Sequence, residues 1–315
     1  MGYQVSPLPG QSAFGAVVTG IQPGDLDDPA LHRSLKELWT QVGVIVFRGL
    51  EGGEESHLRL SRIFGKLNDH PLFRGRPDYH PELIPLLYDG RQELYEVDGQ
   101  VLGAYLPWHS DLIYTDRINR GGILRPVQLP QNLGMTGFID QIAAWERLPA
   151  RLKDKIEGLN VVYAVDMDFS RQLFAHDGNV RCLRMAASGT AIARRMWTYP
   201  RVTHPMVFEQ AETGRKVLNV SPGFAQGILE MGGPDGDALL REVIAHCTDP
   251  ACAWFHDWRE GDMVLWDNWR VLHCATGVPP DQTRVMQRTT IRGDYALGRK
   301  LDGAAQGMVS PDFDV

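Results

Sequence analysis

From residue 121 to residue 292 the chain keeps returning to short apolar or alternating runs, each bounded by Gly, Pro, Asn or Asp. They fall at 121–129, 134–139, 161–166, 216–220, 262–266, 270–274 and 284–292. Runs this short, closed by residues that turn the backbone, predict strands. Many short strands with few helices predict a sandwich or barrel, so the fold class is mainly β with flanking helices. Leu31, Leu35, Leu38 and Trp39 share a helical face that Gly43 stops before Val44-Ile45-Val46-Phe47. Leu58, Ile63 and Phe64 predict a second short helix ending at Gly65. Ile142, Trp145 and Leu148, then Leu152, Ile156 and Leu159, predict two helices broken at Pro149. Leu239, Leu240, Val243, Ile244 and Cys247 form one stripe over 235–247. Residues 166–200 have no clear period and read as an insertion or lid. A length of 315 residues allows two domains, but no linker or repeat divides them, so one domain over 1–315 is expected.

Composition narrows the function classes. The formal net charge is −7, without a Lys/Arg run, which argues against a nucleic-acid or anionic-membrane partner. The apolar run at 44–47 falls far short of the roughly 20 residues of a membrane span. The opening Met-Gly-Tyr-Gln-Val has no basic and apolar signal regions, and Gly2 with Ser6 matches a myristoylation start by chance, with no second anchor. Four cysteines in a chain this long imply a reducing compartment, and Cys247 and Cys252 have no second pair to form a zinc knuckle. A cytoplasmic protein is expected.

The chemistry starts at Trp108-His109-Ser110-Asp111. On a strand, i and i+2 share a face, so His109 and Asp111 would aim an imidazole and a carboxylate at one point. Alone this pattern is common by chance, and its plain reading is a surface turn. A second stretch, Gly261 to Asn268, runs from a turn into an apolar strand and leads through Arg270-Val271-Leu272 to His273. Two His and one carboxylate leave three positions open on a metal, which suits non-haem Fe(II) binding a co-substrate and O2; a catalytic zinc also fits these residue types. Further on, alternation places Arg284, Met286, Arg288, Thr290 and Arg292 on one face. Arg284 and Arg288 are roughly 13 Å apart along a strand, too far to grip one small carboxylate head-on. An inward arginine near a metal implies an anionic ligand.

In these residues the chain resembles the taurine/2,4-dichlorophenoxyacetate dioxygenase family, which depends on Fe(II) and 2-oxoglutarate. The likeness rests on Trp108-His109-Ser110-Asp111, Gly134-Met135-Thr136, and Trp266-Asp267-Asn268 with His273. Arg284 follows eleven residues after His273, and Arg288 four later. Phe64-Gly65-Lys66-Leu67 with His70-Pro71, and Thr203-His204-Pro205 followed by 214–224, also match in order. The resemblance spans roughly 6–295. It implies a distorted double-stranded β-helix (a cupin-like jelly roll) with helices outside. It implies Fe(2+) on His109, Asp111 and His273, and the distal carboxylate of 2-oxoglutarate on Arg284 and Thr136, with O2 at the remaining position. It implies oxidative decarboxylation to succinate and CO2 coupled to hydroxylation of a substrate C–H bond. Arg288 and His70 would meet an anionic substrate group, with Phe73, Leu112, Tyr114 and Phe224 at other pocket positions. A homo-oligomer, dimer or tetramer, is expected by analogy.

The match also departs from the family. Phe73 replaces a tyrosine of taurine-type members, Trp269 stands where relatives carry Arg, and Asn132-Leu133-Gly134-Met135 replaces the usual Gly-Gly. The 90–107 stretch is longer and more apolar than a taurine site needs. These changes point to a small organic acid with an apolar or aromatic body rather than taurine. The alternatives are desaturation or cyclisation by the same iron chemistry, a non-catalytic cupin-like binding module, and a zinc hydrolase, which would leave Arg284 unexplained. Cys274 is expected in the core, His204 in a structural turn, and Asp267 and Asn268 as groups orienting backbone near the metal strand.

Overall fold

A computed structural model describes residues 2–11, 14–68, 81–185 and 199–301. Most described strands lie in two large sheets. The seven-stranded sheet runs, in spatial order, Gln4–Pro7, Ala16–Thr19, Val44–Arg48, Met263–Asp267, Gly121–Gln128, Arg284–Ile291 and Ile84–Tyr88. The six-stranded sheet runs Val180–Arg184, Leu94–Val97, Gln100–His109, Val271–Val278, Thr136–Asp140 and Trp254–His256. Pairing in these two sheets is antiparallel except between Ala16–Thr19 and Val44–Arg48. The seven expected strands are all present, several shifted by a few residues; the 134–139 run, for instance, pairs as Thr136–Asp140.

Alternation along the strands explains how the layers stack. Val44, Val46, Val264 and Trp266 enter one apolar cluster with Phe138 and Val271 of the six-stranded sheet. Their neighbours Ile45, Phe47, Met263 and Leu265 enter another, beneath Leu31, Leu35, Trp39, Leu60 and Ile63. The seven-stranded sheet is therefore buried on both faces, by helices on one side and the second sheet on the other, and its central strands are almost continuously apolar. A smaller four-stranded sheet and the helices Gln141–Arg147, Ala150–Ile156 and Pro234–Cys247 close a third cluster around Leu112, Tyr114 and Phe224.

The helix ends follow local chemistry. Asp28 accepts from Ala30 N at 2.7 Å and Pro29 opens the Pro29–Val42 helix; Gly43, at φ +75°, ends it. Asp140 caps the next helix through Ile142 N. Its carboxylate also takes both Nε (2.7 Å) and Nη2 (2.9 Å) of the buried Arg270. Arg270 Nη1 reaches the Gln41 carbonyl at 2.7 Å, so one arginine ties the first helix to the second sheet. The 166–200 stretch is more regular than expected in its described part: Val180–Arg184 pairs with Leu94–Val97 and extends the six-stranded sheet. Residues 186–198 lie outside the described residues. Among the described residues no helix is long and apolar enough to cross a membrane.

Candidate metal centre

His109 is the last residue of the Gln100–His109 strand, and its register partner on the neighbouring strand is His273. Their ring centroids are 4.1 Å apart. Asp111 does not lie on the strand with His109, as the i, i+2 argument supposed. The strand has ended, Leu112 is at φ +55°, and the carboxylate returns through a turn. The convergence holds all the same: Asp111 Oδ1 is 3.6 Å from His109 Nε2, and Oδ2 is 3.6 Å from His273 Nε2. One ligand atom from each residue lies within 4.8 Å of the others, and all three residues are buried.

Distant contacts hold this turn. Asn268 Oδ1 accepts from Asp111 N at 2.7 Å, while Asn268 Nδ2 donates to Asp111 O at 3.0 Å. Ser110 N donates to Ser221 Oγ at 3.1 Å. Gly223 presses against the strand end; a Cβ there would meet His109 Cβ at 2.9 Å, so any side chain would push the histidine away. His109 Nδ1 lies 2.9 Å from the Pro107 carbonyl, which fixes the proton on Nδ1 and leaves Nε2 a lone pair facing inward. The His273 ring is 6.4 Å from Phe138 at 19° and 5.0 Å from Trp266. Burial first, then His109 and Arg288, hold its pKa well below the ordinary value, so it is a neutral imidazole. Burial alone would raise the Asp111 carboxyl; Arg288 and the two histidines outweigh it and hold it well below the usual carboxylate range. A neutral His273 imidazole and an ionised Asp111 carboxylate are protonation states a divalent cation needs.

The two arginines of the Arg284–Ile291 strand have different surroundings. Arg288 grips Asp111 in a fork, Nη1 to Oδ1 at 3.0 Å and Nη2 to Oδ2 at 2.7 Å, over the Trp266 ring at 5.3 Å. Arg284 is buried with no ion pair or hydrogen bond among the described residues, its Nε without a partner, and burial pushes its pKa down to about 10. A buried guanidinium can take an anion in a charge-assisted fork. Thr136 is buried at the start of its strand, and its Oγ1 accepts from Trp258 Nε1 at 3.0 Å. Tyr114 packs edge-on against Phe224 at 4.9 Å, and both join Leu112 in the third cluster. Burial, then Tyr199 and Asp111, raise the Tyr114 phenol, which also feels Arg288. Phe224 has φ +70°, so two residues of this group, Leu112 and Phe224, hold backbone that L side chains rarely adopt. His70 and Phe73 lie outside the described residues.

Other expectations find structural roles. Cys274 is buried, and burial pushes its thiol up to about 12. His204 lies on a strand, not in a turn, and its Nε2 is 2.8 Å from the Thr115 carbonyl. Trp269 covers Arg120 at 4.3 Å, and Arg120 pairs with Asp267 at 3.0 Å. Sequence reasoning missed Trp258, Ser221 and Gly223, whose partners are far away in the chain and leave no local pattern.

The comparisons agree on one family. The model of the taurine catabolism dioxygenase TauD, TfdA family matches residues 4–290. The (S)-phenoxypropionate/alpha-ketoglutarate-dioxygenase of Sphingobium herbicidovorans is 29% identical, over 93% of this chain and 96% of its own length. Pentalenolactone F synthase of Streptomyces arenae is 27% identical, over 94% of this chain and 97% of its own. A taurine dioxygenase structure from Burkholderia xenovorans superposes with TM-score 0.72 at 24% identity, covering 96% of this chain and 97% of that one, and so supports the fold.

Proposed function

The chain belongs to the taurine catabolism dioxygenase TauD, TfdA family and is a 2-oxoglutarate-dependent dioxygenase; from that premise we propose that it oxidises a small organic acid with an aromatic or apolar body, using Fe(II). His109, Asp111 and His273 hold the metal on one side. Arg284 and Thr136 take the distal carboxylate of 2-oxoglutarate. Arg288 faces the substrate anion, and Leu112, Tyr114 and Phe224 shape the space for its body; the roles expected of His70 and Phe73 fall outside the described residues. When bound, the iron couples decarboxylation of 2-oxoglutarate, to succinate and CO2, with O2-dependent hydroxylation of the substrate. The two large facing sheets are read as the distorted double-stranded β-helix of a single domain, with the described residues 166–185 as part of a lid, in a cytoplasmic dimer or tetramer.

The observation that carries this reading is the buried His–Asp–His cluster beside a strand whose other buried arginine, Arg284, pairs with no carboxylate among the described residues. The remaining donors fit the metal: His109 has its outward nitrogen tied and its inward one free. Arg288 balances the Asp111 charge through its fork, and a metal held by that carboxylate would compete with the guanidinium for it and leave Arg288 available to an incoming acid. Arg284 fixes the far end of a five-carbon dicarboxylate in a water-poor site, where a charge-assisted fork is strongest. Similarity to a phenoxypropionate dioxygenase supports an aryloxy acid as substrate, and the aromatic pair Tyr114–Phe224 suits such a body.

A biosynthetic reading, desaturation or cyclisation by the same residues, draws on the likeness to a protein named as a synthase. The test is succinate release from 2-oxoglutarate and Fe(II) across a panel of aryloxyalkanoates, aliphatic carboxylates and sulfonates, with products identified. An aryloxy acid should give succinate and a hydroxylated or cleaved product in equal amounts, and His109→Ala should abolish both. Full turnover in His109→Ala would sink the metal assignment, and an unsaturated or cyclised product would select the biosynthetic reading.

A further inference from the structure

Thr136 stands where the two large sheets face each other. Its strand neighbours are His256 on one side and Ala275 on the other. It shares a strand face with Phe138, two residues on. Phe138 enters the inter-sheet cluster with Met286, which shares a face with Arg284 on the opposing sheet. Thr136 and Arg284 therefore look into the same inter-sheet space from opposite walls.

A threonine hydroxyl has one hydrogen to give and two lone pairs to receive with. An indole N–H can only donate. The 3.0 Å bond from Trp258 Nε1 to Thr136 Oγ1 thus has one possible direction, and it uses a lone pair. Among the described residues no acceptor takes the Thr136 hydrogen. Trp258 is itself held: its ring meets His256 edge-on at 4.5 Å, His256 Nε2 lies 3.1 Å from Asp262 Oδ2, and Arg48 forks the same carboxylate at 2.9 and 3.1 Å. Packing of the indole against His256, which stands beside the Arg48–Asp262 pair, restrains the direction of the indole N–H.

We infer that Trp258 is a positioning residue for the co-substrate: by donating to Thr136 it bars the hydroxyl from donating in that direction and commits its hydrogen to the distal carboxylate of 2-oxoglutarate beside Arg284. The inference rests on the co-substrate reading of Thr136 and Arg284. Trp258 itself touches neither co-substrate nor metal, and its whole effect passes through one oxygen. Without the indole the hydroxyl can rotate and donate elsewhere, and the carboxylate loses a preset donor, at a cost of about tenfold in affinity.

The test is calorimetric titration of N-oxalylglycine, which mimics 2-oxoglutarate and is not decarboxylated, into the whole chain loaded with Mn(II). Wild type, Trp258→Phe, Thr136→Val and the double variant form a cycle, and Mn(II) affinity is measured for each. Trp258→Phe is expected to weaken N-oxalylglycine about tenfold with Mn(II) affinity unchanged, and to cost nothing further when Thr136 is already Val. If Trp258→Phe does not fold, benzothienylalanine at position 258 keeps the bicyclic shape and deletes only the N–H, and should give the same tenfold loss. Wild-type affinity in either replacement, or losses that multiply in the double variant, would overturn the inference. Wild type that binds Mn(II) but no N-oxalylglycine would instead overturn the co-substrate reading beneath it.

Discussion

Arg270 and Arg284 are both buried, both reach into the space between packed elements, and have opposite surroundings. Arg270 has every direction filled, with a forked carboxylate from Asp140 and the Gln41 and Thr40 carbonyls at a helix end. Burial lowers its pKa, but Asp140 outweighs that and the net shift is upward. Arg284 has burial alone, and its pKa falls to about 10. A chain that can build the first environment has no folding reason to leave the second unfinished. Arg270 closes a structural junction, and Arg284 is the group that the proposed function assigns to a ligand. Arg288 stands between them: it is paired, but with a carboxylate that a metal would also claim.

The comparison is broken most sharply by removing each arginine's charge. Arg270→Met should destabilise the fold by about 3–5 kcal/mol, since Asp140 is left buried and uncompensated. Denaturant unfolding checks this, and a change below 1 kcal/mol would remove Arg270 from its structural role. Arg284→Met should leave stability unchanged or raised, while 2-oxoglutarate binding weakens by at least about thirtyfold. A loss of stability equal to that of Arg270→Met would make the two arginines the same kind of group.

Acid separates the structural interior from the site in another way. His57 Nε2 contacts the Ile123 carbonyl at 3.0 Å and His204 contacts that of Thr115; burial drives both pKa values from 6.5 to about 4. The unfolded chain binds these protons first, so their contribution is full above pH 6.5 and is lost as pH falls toward 4. The loss is about 3 kcal/mol for each by pH 4. Urea titrations from pH 7.5 to 4 should show that slope, and His57→Gln should flatten part of it. A stability that rises on acidification would contradict the assignment of these rings as neutral.

Smaller effects sharpen the site. Asn268→Ala removes both bonds to the Asp111 backbone and should weaken divalent-metal binding by about tenfold to a hundredfold. Equal metal affinity would make Asn268 a bystander. At the far end of the scale, Arg151→Ala deletes an exposed pair with Glu242 and should leave the melting temperature unmoved.

How much of this could be read in advance depended on the range of each interaction. The Pro29–Val42 helix was legible because its apolar stripe, Pro29 and Gly43 are local signals. The break at Pro149 was legible for the same reason. That His109, Asp111 and His273 meet could be read from residue types and order, but the geometric argument for Asp111 was not right. The strand stops at His109, and the carboxylate is placed by a turn that Asn268 holds from 157 positions away. Nothing in the sequence marks Trp258 as the partner of Thr136, 122 positions earlier, or Asp111 as the partner of Arg288. Pairings made across two sheets are set by tertiary packing, and a linear pattern holds no record of them.

The central claim is that His109, Asp111 and His273 hold Fe(II) while Arg284 anchors 2-oxoglutarate beside it. Anaerobic titration of the metal-free protein with Fe(II) and then 2-oxoglutarate tests it directly. The account predicts a weak visible charge-transfer band that needs both additions, disappears in Asp111→Ala, and requires far more 2-oxoglutarate in Arg284→Met. A wild-type protein that gives no band under these conditions, yet binds zinc tightly, would contradict it.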